Sequence, residues 1–332
     1  MTHVAVMGTG SWGTAFSGVL SDAGCTVTMW ARREEMAEQI NAGCNLEYMP
    51  DLRLPETVRA TTDPVAACKG ADIVVLAVPS QTLRSNLAEW GHAIPGGADV
   101  VSLMKGVELG TTKRMSEVIA EVARVDPKRI VILSGPNLAP EIAARQPAAS
   151  VIACVDMAGA DRVAAACATP TFRPYTSTDV VGAEVCGATK NVVGLAVGMA
   201  EGMGFGDNTK ATIITRGLAE TTRLGLALGA EPETFLGLAG VGDLIATCMS
   251  PLSRNHRFGV RLGQGMAVDE VIAVTRQTSE GVKSCESILK LAQDHGVEMP
   301  IVEQVVAVVR DGHSAKDIGP RLMSRDLKPE KS

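Results

Sequence analysis

Two lysines and an aspartate stand in surroundings that suit chemistry rather than solvation. Lys190 lies in Gly187-Ala188-Thr189-Lys190-Asn191-Val192-Val193-Gly194, a small and apolar segment with no acid nearby in sequence. Desolvation against a cleft lowers the pKa of such an ammonium toward the range useful for proton transfer. A helix-surface lysine that snorkels into solvent fits the same residues. Lys105 closes Ser102-Leu103-Met104-Lys105-Gly106, at the end of an apolar strand-like run, where ligands bind in parallel sheets; a solvated lysine at a strand end is the plainer reading. Asp243 sits in Gly240-Val241-Gly242-Asp243-Leu244-Ile245-Ala246-Thr247, and Ser253-Arg254-Asn255-His256-Arg257 follows. Four residues separate Asp243 from Thr247, which puts both on one helical face. The cluster offers an acid to orient a cation and an arginine to clamp a phosphate. A helix cap at Asp243 and a surface turn at Arg254 and Asn255 are the alternatives.

A different chemistry is written near the N-terminus, in Val4-Ala5-Val6-Met7-Gly8-Thr9-Gly10-Ser11-Trp12-Gly13-Thr14-Ala15. An apolar strand-like run, a G-x-G-x-x-G turn and helix-compatible residues from Thr14 to Leu20 follow one another in the order a dinucleotide site requires. Gly8 permits the tight turn, Gly10 lets the backbone approach a pyrophosphate, and Gly13 lets the helix pack on the strand. The helix start then offers free N–H groups and partial positive charge to an anion. In an NAD-selective site an acid closes the second strand and binds the ribose hydroxyls. Here that strand ends Trp30-Ala31-Arg32-Arg33. Two guanidiniums favour a 2′-phosphate, so NADP(H) is the expected cofactor with NAD(H) possible. Alternatively, Arg32 and Arg33 merely begin a solvated helix with Glu34 and Glu35 as local partners.

These residues must be positioned by a sizeable scaffold. With 332 residues, 46% of them hydrophobic, the chain has material for two domains. A net charge of −6 argues against nucleic acid or an anionic membrane surface as partner, so any anionic substrate must be held by a few local cations. The eight cysteines are scattered without a C-x-x-C pair, which speaks against disulfides or a metal site. No apolar run approaches the ~18 residues of a spanning helix, and the N-terminus passes into the first strand without a targeting segment. A cytoplasmic protein without membrane insertion is expected.

Strand-like runs recur at Thr26 to Trp30, Val58 to Thr61, Asp72 to Val78, Asp99 to Met104, Arg129 to Leu133 and Ser150 to Val155, with Phe172 to Ser177 as a last one, and most are separated by helix-like stretches. That alternation predicts an α/β fold, a doubly wound and mainly parallel sheet covered on both faces. From about Thr178 small apolar residues recur at helical spacing and β-rich runs vanish, predicting an all-α C-terminal domain. The expected division is residues 1–178 and 179–332. The polar tail after Gly312 is expected to be loosely ordered.

Five segments, GTGSWGTA at the start, LSGPNLAPEIA (133–143), GATKNVVGLAVG (187–198), GVGDLIATC (240–248) and SRNHRFG (253–259), together resemble bacterial NAD(P)-dependent glycerol-3-phosphate dehydrogenase. The resemblance runs in order from about Val4 to Val309. It implies an N-terminal Rossmann domain, a helical substrate domain, a homodimer, and reversible reduction of dihydroxyacetone phosphate to sn-glycerol 3-phosphate, the precursor of phospholipids. Carried over, Ser11, Trp12, Arg32, Arg33, Lys105, Ala139, Arg254 and Glu280 match the family's dinucleotide contacts. Lys105, Gly135, Asn137, Lys190, Asp243, Ser253, Arg254 and Asn255 match its substrate contacts, with Lys190 in the place of the proton-transferring lysine. Asn137 stands where serine or threonine is frequent, Thr189 where leucine is frequent, and Thr278 where an apolar residue is usual. Rival expectations are a related two-domain NADP-dependent reductase of 2-oxo or 3-hydroxy acids, and a non-catalytic NADP-sensing protein; a proton-donor set of Lys105, Lys190 and Asp243 argues against the sensor.

Overall fold

Short runs rich in Val, Ile and Thr become strands because β-branched side chains suit a pleated, buried surface. The computed structural model describes residues 1–275, 279–324, 326 and 329. Its eight strands are β1 (His3–Met7), β2 (Thr26–Trp30), β3 (Val58–Thr61), β4 (Ile73–Leu76), β5 (Asp99–Ser102), β6 (Ile130–Ser134), β7 (Ala148–Ala153) and β8 (Phe172–Ser177). They form one sheet in the order β3-β2-β1-β4-β5-β6-β7-β8. Every neighbouring pair is parallel except β6 and β7, which run antiparallel.

A sheet buried on both faces needs apolar residues at successive positions, since these alternate between faces. Val4 and Val6 accordingly pack on one side with Phe16, Ile40 and Val163, whereas Ala5 and Met7 pack on the other with Leu83, Trp90 and Val118. The covering helices are α1 (Ser11–Asp22), α2 (Glu34–Asn41), α3 (Pro64–Cys68), α4 (Leu83–Trp90), α5 (Met115–Ala123), α6 (Ala139–Ala143) and α7 (Met157–Cys167). The first, second, sixth and seventh lie on the Val4 face and the others on the Ala5 face. Strand order reverses between β1 and β4, so a crevice opens beyond their carboxyl ends. Gly8 turns the chain there with a φ of +130°, and a Cβ on it would lie 2.6 Å from the Ala77 carbonyl oxygen. Only glycine fits that turn.

Beyond the sheet the chain is helical: α8 (Val180–Gly202), α9 (Asp207–Ala227), α10 (Pro232–Leu236), α11 (Asp243–Met249), α12 (Arg254–Gly263), α13 (Val268–Val274), α14 (Glu280–Asp294), α15 (Pro300–Val309) and α16 (Ile318–Met323). This is a Rossmann-like domain joined to an all-α domain, the expected fold class.

Two expectations are corrected. Helix α8 has 23 residues with a mean hydropathy of 1.3, long and apolar enough to cross a membrane by length and composition. Its run was invisible as an apolar stretch because Glu184, Lys190 and Asn191 interrupt it. It is nevertheless the spine of the second domain, with 94% of that window buried and α9, α11, α12 and α14 packed around it. Of the tail after Gly312, the part from 313 to 324 is more ordered than its polarity suggests, because Ala315 and Ile318 bury themselves in the helical core.

Candidate active site

The crevice continues between the two halves of the chain as a cleft of about 930 Å³. At one end stands the glycine turn. Helix α1 begins at Ser11 with no side-chain cap on Gly10, so its first N–H groups are available to an anion. A Cβ on Gly10 would meet no protein atom within 4 Å, which leaves the backbone open to close approach. Ser11 and Trp12 border the cleft here, as do Arg32 and Arg33 beyond β2. The donor set and the shape fit a dinucleotide. Arg33 has a partner, though not Glu34 or Glu35: its guanidinium donates to the Glu47 carboxylate.

The other end holds the ionisable cluster. Asp243 opens α11, but its side chain does not cap that helix. Its carboxylate instead lies between two ammonium groups. Lys105, just past β5, donates to Oδ2 at 2.6 Å and to the Gly135 carbonyl at 3.0 Å. Lys190, midway along α8, donates to Oδ1 and also to Thr247 Oγ1 at 2.8 Å. The four-residue spacing places Thr247 one turn after Asp243, so one helical face presents both acceptors.

The Asp243 side chain is 2% exposed and that of Lys190 10%. Burial lowers the Lys190 pKa from its ordinary value; the Asp243 charge opposes that fall and the Lys105 charge adds to it. The result is a buried amine that exchanges its proton more readily than a surface lysine.

Asn191 extends the network. Its amide nitrogen donates to the Lys105 carbonyl at 3.2 Å, and its Oδ1 accepts from Asn255 Nδ2 at 2.9 Å. Asn255 Oδ1 in turn accepts from Ser279 Oγ at 2.7 Å and the Gly281 N–H at 3.0 Å. Three helices, α8, α12 and α14, are thereby locked beside the lysines. The α8–α12 approach depends on glycine: a Cβ on Gly198 would lie 2.1 Å from the His256 carbonyl oxygen.

Ser253 caps α12, accepting from the His256 N–H at 3.3 Å, so Arg254 begins the helix. The Arg254 guanidinium reaches the cleft, where desolvation lowers its pKa, Glu280 opposes the shift and Arg257 reinforces it. Glu280, at the start of α14, accepts a hydrogen bond from Ser80.

Most of the residues singled out in the sequence border one cleft: Gly8, Gly10, Ser11, Trp12, Gly13, Arg32, Arg33, Lys105, Asn137, Ala139, Lys190, Ser253, Arg254, Asn255 and Glu280. Asp243 and Gly135 stand behind its wall and reach it through the lysines. At Asn137 the departure from serine or threonine keeps a donor, because Ser150 donates to its Oδ1 at 2.6 Å and leaves its buried Nδ2 without a protein partner. Thr189, the other departure, turns its hydroxyl into its own helix, donating to the Val185 carbonyl at 2.8 Å. Thr278 lies outside the described residues. Sequence reasoning did not place Asn191, Thr247 or Glu47 in the site; adjacency to Lys190 and spacing from Asp243 were the available signals for the first two, and Glu47 had none.

Models of known families match both parts of the chain. The one described as NAD-dependent glycerol-3-phosphate dehydrogenase N-terminus matches residues 3–160, and its C-terminus counterpart matches residues 179–319. A Streptomyces griseus protein named glycerol-3-phosphate dehydrogenase [NAD(P)+] is 63% identical over 335 residues, covering 100% of both chains. A Thermobifida fusca protein of the same name is 59% identical, covering 100% of this chain and 99% of its own. The crystal structure of glycerol-3-phosphate dehydrogenase from Coxiella burnetii superposes with a TM-score of 0.93 at 33% identity, covering 98% of this chain and 99% of that one.

Proposed function

We propose a division of labour among the cleft residues from one premise: the chain belongs to the NAD-dependent glycerol-3-phosphate dehydrogenase family, and is an oxidoreductase that interconverts dihydroxyacetone phosphate and sn-glycerol 3-phosphate with NAD(P)H. Membership displaces both rivals, the 2-oxo or 3-hydroxy acid reductase and the non-catalytic sensor. Its product supplies phospholipid synthesis.

When bound, NAD(P)H supplies the hydride. What remains for the protein is the proton, the developing charge and the phosphate. Lys190 as ammonium gives its proton to the carbonyl oxygen of dihydroxyacetone phosphate as that oxygen becomes negative, and as neutral amine takes the hydroxyl proton of glycerol 3-phosphate in the reverse direction. Its lowered pKa suits both directions. Lys105 adds positive field at the same oxygen. Asp243 orients the two ammonium groups and balances one of their charges. Arg254 and Asn255 hold the substrate phosphate, with Ser253 and Asn137 as further donors.

At the other end, Gly8, Gly10 and Gly13 with the start of α1 seat the pyrophosphate. Ser11, Trp12, Ala139 and Glu280 line the nucleotide, and Arg32 and Arg33 face the adenosine ribose, favouring NADPH. Residues 1–178 form the nucleotide domain and residues 179–332 the substrate domain. The working form is a cytoplasmic homodimer.

The observation that carries this reading is one buried carboxylate held between two lysines at a cleft wall. Lys190→Met tests it, keeping approximate length while removing charge and proton. With saturating dihydroxyacetone phosphate and NADPH, turnover falls by at least about a hundredfold, while fluorescence titration shows NADPH binding retained. Near-normal turnover in folded protein moves the proton donor elsewhere, with Lys105 next.

A further inference from the structure

We propose that Glu47 sets how strongly this enzyme prefers NADPH over NADH, by occupying one of the two guanidiniums that a 2′-phosphate needs. The proposal rests on the reading of the glycine end of the cleft as the nucleotide's seat.

Strand β2 leads into Arg32 and Arg33, and the acid usual at that place in an NAD site is missing. The structure returns an acid to the same spot by another route. The loop after α2 folds back over the glycine turn and is pinned there on both sides of Glu47. Fully buried Asn45 donates through Nδ2 to the Thr9 carbonyl and to Thr14 Oγ1, both at 2.9 Å. Ser11 Oγ donates to the Tyr48 carbonyl at 3.3 Å. So held, Glu47 accepts from Arg33, and both residues border the cleft beside Arg32. The nearer acid, Glu34, is engaged by Thr62 at 3.1 Å.

Two consequences follow from this charge arrangement. A 2′-phosphate entering here meets one net positive charge from the Arg32, Arg33 and Glu47 set instead of two, and must displace a carboxylate that then stands close by as a like charge. NADH carries a hydroxyl at that position, and a carboxylate accepts a hydrogen bond from a hydroxyl. Glu47 therefore penalises one cofactor and assists the other. Side-chain exposures of 55% for Arg33 and 44% for Glu47 leave both free to rearrange.

Glu47→Gln is the test, read as the ratio of kcat/KM for NADPH to that for NADH with dihydroxyacetone phosphate saturating. The ratio moves toward NADPH by about fivefold to tenfold, in KM rather than kcat, and the movement shrinks as salt is raised. In an Arg33→Ala background the same substitution has a smaller effect on NADPH, because the guanidinium it would release is gone and only the like-charge repulsion remains to be relieved. A ratio that stays put or moves toward NADH, while Arg33→Ala alone selectively weakens NADPH, overturns the role of Glu47 and leaves the nucleotide seat standing. If Arg33→Ala weakens both cofactors equally, the seat itself is misplaced and the proposal falls with it.

Discussion

With Asp243 shared between Lys190 and Lys105, its replacement by asparagine leaves two neighbouring ammonium groups with no charge between them. Burial and Lys105 already depress the Lys190 pKa and Asp243 alone among the named charges raises it, so the pKa falls further in Asp243→Asn. Reduction of dihydroxyacetone phosphate requires the ammonium form, and its rate is lost as pH rises through that pKa. The alkaline limb of the kcat profile therefore moves to lower pH by roughly 1 to 3 pH units, and acidification recovers part of the activity missing at neutral pH. A limb that does not move shows that Asp243 supports the fold around Lys190 rather than its proton. The three residues were legible as chemistry from their settings: a lysine among small apolar residues, a lysine closing a strand, an acid after a glycine-rich turn. That one carboxylate serves both lysines was not, since 53 and 138 residues separate it from them, and they meet only where α11 packs beside α8 and the chain leaving β5 reaches the same spot. Glu47 was hidden for the same reason: its partner is set by the path of a loop.

Among the helices, α9 and α15 meet through a buried acid. Glu220 on α9 is 2% exposed and accepts from the Ile301 N–H at 2.8 Å and the Val302 N–H at 3.4 Å, serving as a cap for α15. Burial raises its pKa from 4.5 to about 7, against the pull of those N–H groups and of Arg223, with Glu303 pushing the same way as burial. A carboxylate with a raised folded-state pKa adds stability below its unfolded value, near 4.5, and that contribution is lost as pH rises toward 7. Well above pH 7 the charged form opposes folding by roughly 3 kcal/mol. Glu220→Gln keeps an oxygen acceptor without the charge, so it is more stable than wild type at pH 8 by about that amount, and the advantage disappears near pH 5. Urea unfolding at both pH values checks this; a difference independent of pH means the carboxylate does not titrate near neutrality. At this scale the strands were largely legible, and β2, β3 and β8 have the bounds of their strand-like runs. The antiparallel step from β6 to β7 was not, because an apolar run carries no record of direction. The order of residues 313–324 was missed because a few apolar residues, Ala315, Ile318 and Leu322, anchor them.

The cleft works only while the sheet domain and the helical domain keep their relation, since its lysines come one from each. A buried ion pair spans that junction away from the site. Glu184 on α8 accepts from Arg114 Nη1 at 2.7 Å, from the Ser116 N–H at 2.8 Å and from Ser116 Oγ at 2.6 Å. Its side chain is 5% exposed, and burial raises its pKa while Arg114 opposes the rise. Removing one partner of such a pair leaves a buried charge uncompensated and costs about 3–5 kcal/mol, whereas removing both together costs far less. Arg114→Met is thus strongly destabilising, and Arg114→Met combined with Glu184→Gln recovers most of the loss. Neither position borders the cleft, so NADPH at about a hundred times its dissociation constant still adds roughly 2.7 kcal/mol to each variant. Thermal unfolding with and without NADPH separates the two contributions. If the single variant loses stability and also the NADPH increment, the pair governs how the domains frame the cleft; if the increment survives, it fastens the junction and the cleft residues shape themselves.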